Sequence, residues 1–154
     1  MIEKFRGCFP AIATPVDAEE KVDSKGLRKL VNKVINAGVD GVVVLGTAGE
    51  GPMLEAKEKY RAIEIVVDEV NGRAPVIAGT GDVSTKTIKN NNKQAAKLGA
   101  SAALVVPPFY FNQNQESMID CFKDFAQEGS LPILIYNIPM VSKIYLEQIG
   151  RASC

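Results

Sequence analysis

Short apolar runs rich in Val, Ile and Ala alternate along this chain with longer segments of helical period, and no other feature restricts the fold as strongly. A strand covered on both faces reads as a nearly continuous apolar run, and parallel strands require crossover connections that are usually helices. The runs at residues 8–14, 41–46, 75–79, 102–106 and 132–136 predict five such strands. Between them, Leu27, Leu30, Val31, Val34 and Ile35 fall on one stripe, so a helix is expected over 24–37, stopped by Gly38. A second is expected over 55–70, with Tyr60, Ile63, Val67 and Val70 on its face and Asn71-Gly72 at its end. The third, 84–98, is a weak point: Asn90, Asn91 and Asn92 are poor helix formers, and at least one must face inward near Ile88 and Ala95. The fourth, 115–127, has an apolar face of Met118, Cys121, Phe122 and Phe125.

Residues 37–44 and 98–105 both read as helix end, turn and strand, which suits repeated βα units better than two unrelated domains. Five strands, four crossovers and a new helical stripe from Tyr145 to Ile149 are the opening of an α/β fold of the TIM-barrel, (β/α)8 type, which takes eight strands and typically about 250 residues. Residues 1–154 are therefore expected to form the N-terminal part of a single barrel domain, incomplete and ending within its fifth helix. An open sheet of this kind leaves apolar edges, so the chain made alone is expected to associate or aggregate.

Acidic and basic residues balance at 18 each, which favours neither nucleic acid nor an anionic membrane, and no 18-residue apolar stretch provides a membrane span. A small soluble molecule is the expected partner. Three widely spaced cysteines and no histidine argue against a metal cluster or a disulfide framework, and point to a reducing, cytoplasmic compartment. No cofactor is expected. Without histidine, Ser-His-Asp and Cys-His schemes are excluded within this chain, so proton transfer falls to Tyr, Lys, Asp, Glu or water.

The run Gly46-Thr47-Ala48-Gly49-Glu50-Gly51 sits at the carboxyl end of the second expected strand, the end where barrel active sites lie. Its glycines let backbone N–H groups approach an anion such as a carboxylate, with the Thr47 hydroxyl as a further donor; the same glycines equally suit a tight turn. The spacing of Gly46, Gly49 and Gly51 does not fit a dinucleotide-binding fingerprint. Tyr136-Asn137-Ile138-Pro139 ends the fifth expected strand and brings a phenol to the same rim, either as a proton carrier or as packing at the barrel mouth. In Pro107-Pro108-Phe109-Tyr110-Phe111, Phe109 and Phe111 read as lid or interface packing.

Together with Phe9-Pro10-Ala11-Ile12-Ala13-Thr14-Pro15, these motifs and their order resemble the dihydrodipicolinate synthase and N-acetylneuraminate lyase family over essentially the whole chain. The resemblance implies an aldolase or lyase in which a lysine on the sixth strand forms a Schiff base with a 2-oxo acid such as pyruvate. It implies that Thr47, Ala48 and the backbone at Gly49 bind the substrate carboxylate and that Tyr136 carries protons. Tyr110 resembles a tyrosine that assists a neighbouring subunit's site, which implies a homo-oligomer. Three departures qualify this. Ala48 replaces a second hydroxyl residue; Val141 stands where synthases usually carry arginine, which favours a sialic-acid lyase or another 2-oxo-acid aldolase; and the expected lysine falls beyond Cys154. Lys143 is a poor substitute, because a Schiff-base lysine needs burial. The chain alone is thus expected to lack aldol activity. The alternative is a non-catalytic half-barrel that associates with itself or with a complete homologue. A barrel for a phosphorylated substrate fits less well, since that phosphate site usually follows strands seven and eight.

Overall fold

The structure, a computed structural model, describes residues 5–147. The elements follow in the order α1 (Ser24–Asn36), β1 (Val42–Val44), α2 (Ala56–Val70), β2 (Val76–Gly79), α3 (Thr85–Lys97), β3 (Ala102–Val105), α4 (Gln115–Gln127), β4 (Ile133–Ile135) and α5 (Pro139–Ser142). All neighbouring strands are parallel, in the sheet order β1-β2-β3-β4. This is the alternating α/β arrangement of an incomplete barrel.

The sheet has four strands among the described residues, where the sequence suggests five. The first run contributes one parallel bridge, Ala11 to Val43, with Ile12 N–H donating to Val43 O at 3.0 Å and Val43 N–H to Pro10 O at 2.9 Å. The ladder stops on one side at Pro10, which has no N–H to give the neighbouring strand. On the other side Leu45 takes φ 59° and turns the chain away.

The helix ends follow from local chemistry. The Asp23 side chain accepts the N–H groups of Lys25 and Gly26 at the start of α1, and Asn114 accepts that of Ser117 at the start of α4. Two apolar layers sit on the helix side of the sheet. Val42, Val44, Val76 and Ala78 meet Leu27, Val31, Ile63 and Val66; further along, Val105 meets Ile88, Met118, Phe122 and Phe125. The alternate residues Val43, Ile77 and Ala102 face the opposite side, with Phe9, Leu104 and Leu134 against them. Both Asn91 and Asn92 are buried on α3, beside Ile88 and Ala95. Asn91 is hydrogen-bonded, whereas neither amide atom of Asn92 has a partner among the described residues.

The helix expected from Tyr145 is not present at 145–147; Gln148 and Ile149 lie outside the described residues. Ile144 and Leu146 are instead buried with period two, as in an extended segment. The reason is visible in the backbone. Gln115 donates to Tyr145 O and accepts Glu147 N–H, while Asn137 donates to Leu146 O and accepts Leu146 N–H. Side-chain amides have taken the groups that a helix would pair internally. The short α5, with Pro139 at its start, occupies the turn before this segment.

Candidate active site

The run from Gly46 folds as two short 3-10 turns, Thr47–Gly49 and Gly51–Met53, joined by Glu50 at φ 51°. It is held tightly from below. A Cβ on Gly79 would lie 2.1 Å from Leu45 O and one on Gly51 2.6 Å from the same oxygen, so both glycines are needed for close backbone approach. The Thr14 hydroxyl donates to Gly49 O at 2.7 Å, pinning the turn to the first apolar run. Gly49 N–H donates to Gly46 O and Glu50 N–H to Thr47 O. The turn thus consumes the amide at Gly49, and the amides of Thr47 and Ala48, which precede it, carry the remaining donor capacity. Gly49 itself is buried, while Thr47 and Ala48 are exposed.

Tyr136 directly follows β4 and extends its ladder, with N–H donating to Val105 O at 2.8 Å. Its hydroxyl lies 3.1 Å from Thr47 Oγ1. Two hydroxyls 89 positions apart in sequence therefore meet on the carboxyl-end rim. They open onto a cleft of about 330 Å³ whose other polar side chains include Glu50, Lys59, Asn91 and Ser142. Thr47 and Tyr136 also line a second pocket of about 540 Å³, shared with Ala48 and with the apolar Ala11, Val43 and Leu104.

Tyr110 also lies on the rim, in the loop after β3, but does not line the cleft. It is 82% exposed at φ 96° and stacks edge-on against Phe111, ring centres 4.9 Å apart. Phe109, read from sequence as lid or interface packing, instead packs against the α4 layer and lines the cleft. Lys143 is exposed, and its ammonium donates to Met140 O at 3.0 Å. Val141 sits on the cleft wall.

Two features of the site were not read from the sequence. Asn91 lines the cleft, accepting from the Tyr60 hydroxyl at 2.9 Å and donating to Thr80 O at 3.2 Å. The asparagine run signals weak helix propensity and one inward-facing member, but not the polar partners that an inward asparagine requires. The second is Asn137, whose pairing with Leu146 across the 138–145 loop leaves no local mark in the sequence.

Among the described residues no helix is long and apolar enough to cross a membrane. The model of the dihydrodipicolinate synthetase family matches residues 4–153. The chain is 43% identical over 135 residues to a 4-hydroxy-tetrahydrodipicolinate synthase of Oceanobacillus iheyensis, covering 88% of this chain and 46% of the relative. It is likewise 43% identical over 135 residues to the enzyme of that name from Bacillus subtilis, covering 88% and 47%. A crystal structure of the dihydrodipicolinate synthase from Acinetobacter baumannii complexed with pyruvate superposes with a TM-score of 0.89 at 37% identity, over 92% of this chain and 49% of that one. The chain thus spans about half the length of the curated relatives it matches.

Proposed function

The chain belongs to the dihydrodipicolinate synthetase family, and on that premise we propose that its Thr47 turn and Tyr136 phenol form the binding half of a Schiff-base aldolase or lyase site for a 2-oxo acid such as pyruvate. The 3.1 Å contact between Thr47 Oγ1 and Tyr136 Oη carries this reading. A carboxylate on the turn would meet the Thr47 hydroxyl and the amides of Thr47 and Ala48, and its C2 carbonyl would then lie beside the phenol. Substrate attack by a lysine amine forms a C2–N bond, the C2 oxygen leaves as water after protonation, and the iminium accepts the electron pair of the C–C bond that breaks. The phenol's role is to move those protons, with the Thr47 hydroxyl as relay.

The reading assigns the amine to a later strand of a single barrel domain of which residues 1–154 form the front, and not to Lys143, which is exposed and bonded to a carbonyl. It assigns Tyr110 to a neighbouring subunit's site, in a cytoplasmic homo-oligomer; the residue's 82% exposure supports that role. Val141 puts an apolar side chain, not a cation, at its place on the cleft wall, which favours an aldehyde partner that needs no cation there. A second reading, a non-catalytic half-barrel that pairs with itself or a complete homologue, draws support from the exposed Ile135, Met140 and Tyr145.

The test is borohydride trapping with pyruvate, read by mass. The 154-residue chain alone is expected to give no adduct, and a mixture with a fragment carrying the later strands to give one on that fragment. A stoichiometric adduct on Lys143, lost in Lys143→Ala, would overturn the assignment. No adduct in the mixture, despite stable association of the two pieces, would favour the half-barrel reading.

A further inference from the structure

Tyr136 is anchored on one side only by the sheet, through its N–H on Val105 O. β4, which precedes it, is the edge of the sheet among the described residues, and Ile135 beside it is 46% exposed. Packing therefore holds the strand that carries this phenol less firmly than β1, which leads into the Thr47 turn. The next residue compensates. Asn137 Nδ2 donates to Leu146 O at 2.9 Å, and Asn137 Oδ1 accepts Leu146 N–H at 3.3 Å. An amide is the side chain that offers a donor and an acceptor side by side, so it pairs with one residue's backbone as a neighbouring strand would.

What the amide grips is firmly rooted. Leu146 and Ile144 are 4% and 6% exposed, in the layer formed by Ile88, Met118 and Phe122. From the other side Gln115 holds Tyr145 O and Glu147 N–H. The loop closed between Asn137 and Leu146 includes Ile138, Val141 and Ser142, which form one wall of the cleft. Ser142 Oγ bonds to Ile138 O and to Ile144, so that wall is cross-braced internally.

We infer that Asn137 is a positioning residue: by clamping the backbone of Leu146 it holds the Tyr136 phenol on Thr47 and keeps the 138–142 wall against the cleft. The consequence for pyruvate rests on the function proposed above; the consequence for the phenol does not.

The experiment labels the tyrosines with ¹³C at Cζ and assigns Tyr136 by the signal lost in Tyr136→Phe. Asn137→Ala is expected to move the Tyr136 signal towards that of free tyrosine and to weaken pyruvate binding about fivefold, the scale of one net hydrogen bond. Asn137→Asp separates positioning from general structural damage. As a carboxylate it accepts but cannot donate; as a neutral acid it does both, as the amide does. The Tyr136 signal of Asn137→Asp should therefore return towards wild type as pH falls through the carboxyl range, near about 4. If Asn137→Ala fails to fold, the Asp variant decides alone. An unchanged Tyr136 signal in Asn137→Ala, or no pH-dependent recovery in Asn137→Asp, contradicts the inference. Pyruvate leaving every wild-type signal untouched would sink the proposed function, while the clamp would still stand or fall with the Tyr136 signal.

Discussion

The two hydroxyls of the site come from regions built in different ways. Thr47 follows β1, whose three residues are all buried, and its turn rests on a layer in which Leu27, Val31, Val42, Val44 and Val66 have no exposed surface. Tyr136 follows β4, none of whose residues is fully buried among the described residues; its N–H donates to Val105 O, and the amides of Asn137 and Gln115 hold the segment beside it. One half of the site is fixed by apolar packing and close glycine contacts, the other by side-chain amides. Packing is spread over many atoms and fails globally, whereas a two-bond clamp fails locally. The contrast predicts that damage to the first region lowers the stability of the whole chain, and damage to the second shifts the phenol with little effect on the melt.

The largest expected effect is Leu27→Ala, which empties a fully buried position between α1 and the sheet. It should cost about 2–5 kcal/mol in chemical denaturation. If it costs under ~1 kcal/mol, the first region is not the packed one. Next is Gly79→Ala, where the new methyl would meet Leu45 O at 2.1 Å. Backbone cannot yield as a flexible side chain can, so a loss of about 1–3 kcal/mol is expected, together with shifted amide signals at Thr47 and Ala48. Signals that stay in place would separate Gly79 from the turn.

Asn92→Leu sharpens the comparison in the other direction. The residue is 1% exposed and neither amide atom is paired among the described residues, so replacing it with an apolar group of similar size is expected to raise stability by about 1 kcal/mol. A destabilised variant would indicate a polar partner for Asn92. The smallest effect concerns the outer surface of the packed region. Hydrogen bonds from Arg28 and Asn32 hold the Glu69 carboxyl below its ordinary range. A carboxyl depressed in the folded state adds stability above its unfolded value, near about 4.3, and loses it as pH falls through the lower folded value. Acidification below about pH 4 should therefore loosen the α1–α2 contact in the wild type, and Glu69→Gln should flatten that part of the pH–stability curve. Equal slopes would remove the pair from the account.

The sequence revealed most where a physical signal repeats. Helical stripes such as Leu27, Val31 and Val34 and the apolar runs at β1 to β4 are periodic, and they located the crossover units to within a residue or two at each end. The first strand was overestimated because apolarity records burial but not the ladder, which Pro10 and the left-handed Leu45 interrupt. The helical start expected at Tyr145 is absent over 145–147 for a related reason: Ile144 and Leu146 are apolar in either conformation, and the amides that decide these residues' outcome, Gln115 and Asn137, are distant in sequence or outside the stripe. Thr47 and Tyr136 were legible because their motifs end strands. Their contact with one another, and the loss of Gly49's amide to the turn, are tertiary facts without a local signature.

The central claim is that Thr47 and Tyr136 act as one site for a 2-oxo acid, and pyruvate titration of the wild type, Thr47→Val, Tyr136→Phe and the double variant by NMR tests it most directly. Hydroxyls that share a ligand and a hydrogen bond are coupled, so each single variant should lose most of the affinity and the double variant little more, leaving an interaction energy of about 0.5–3 kcal/mol. Two losses that simply add, or pyruvate binding that ignores both substitutions, would contradict the account.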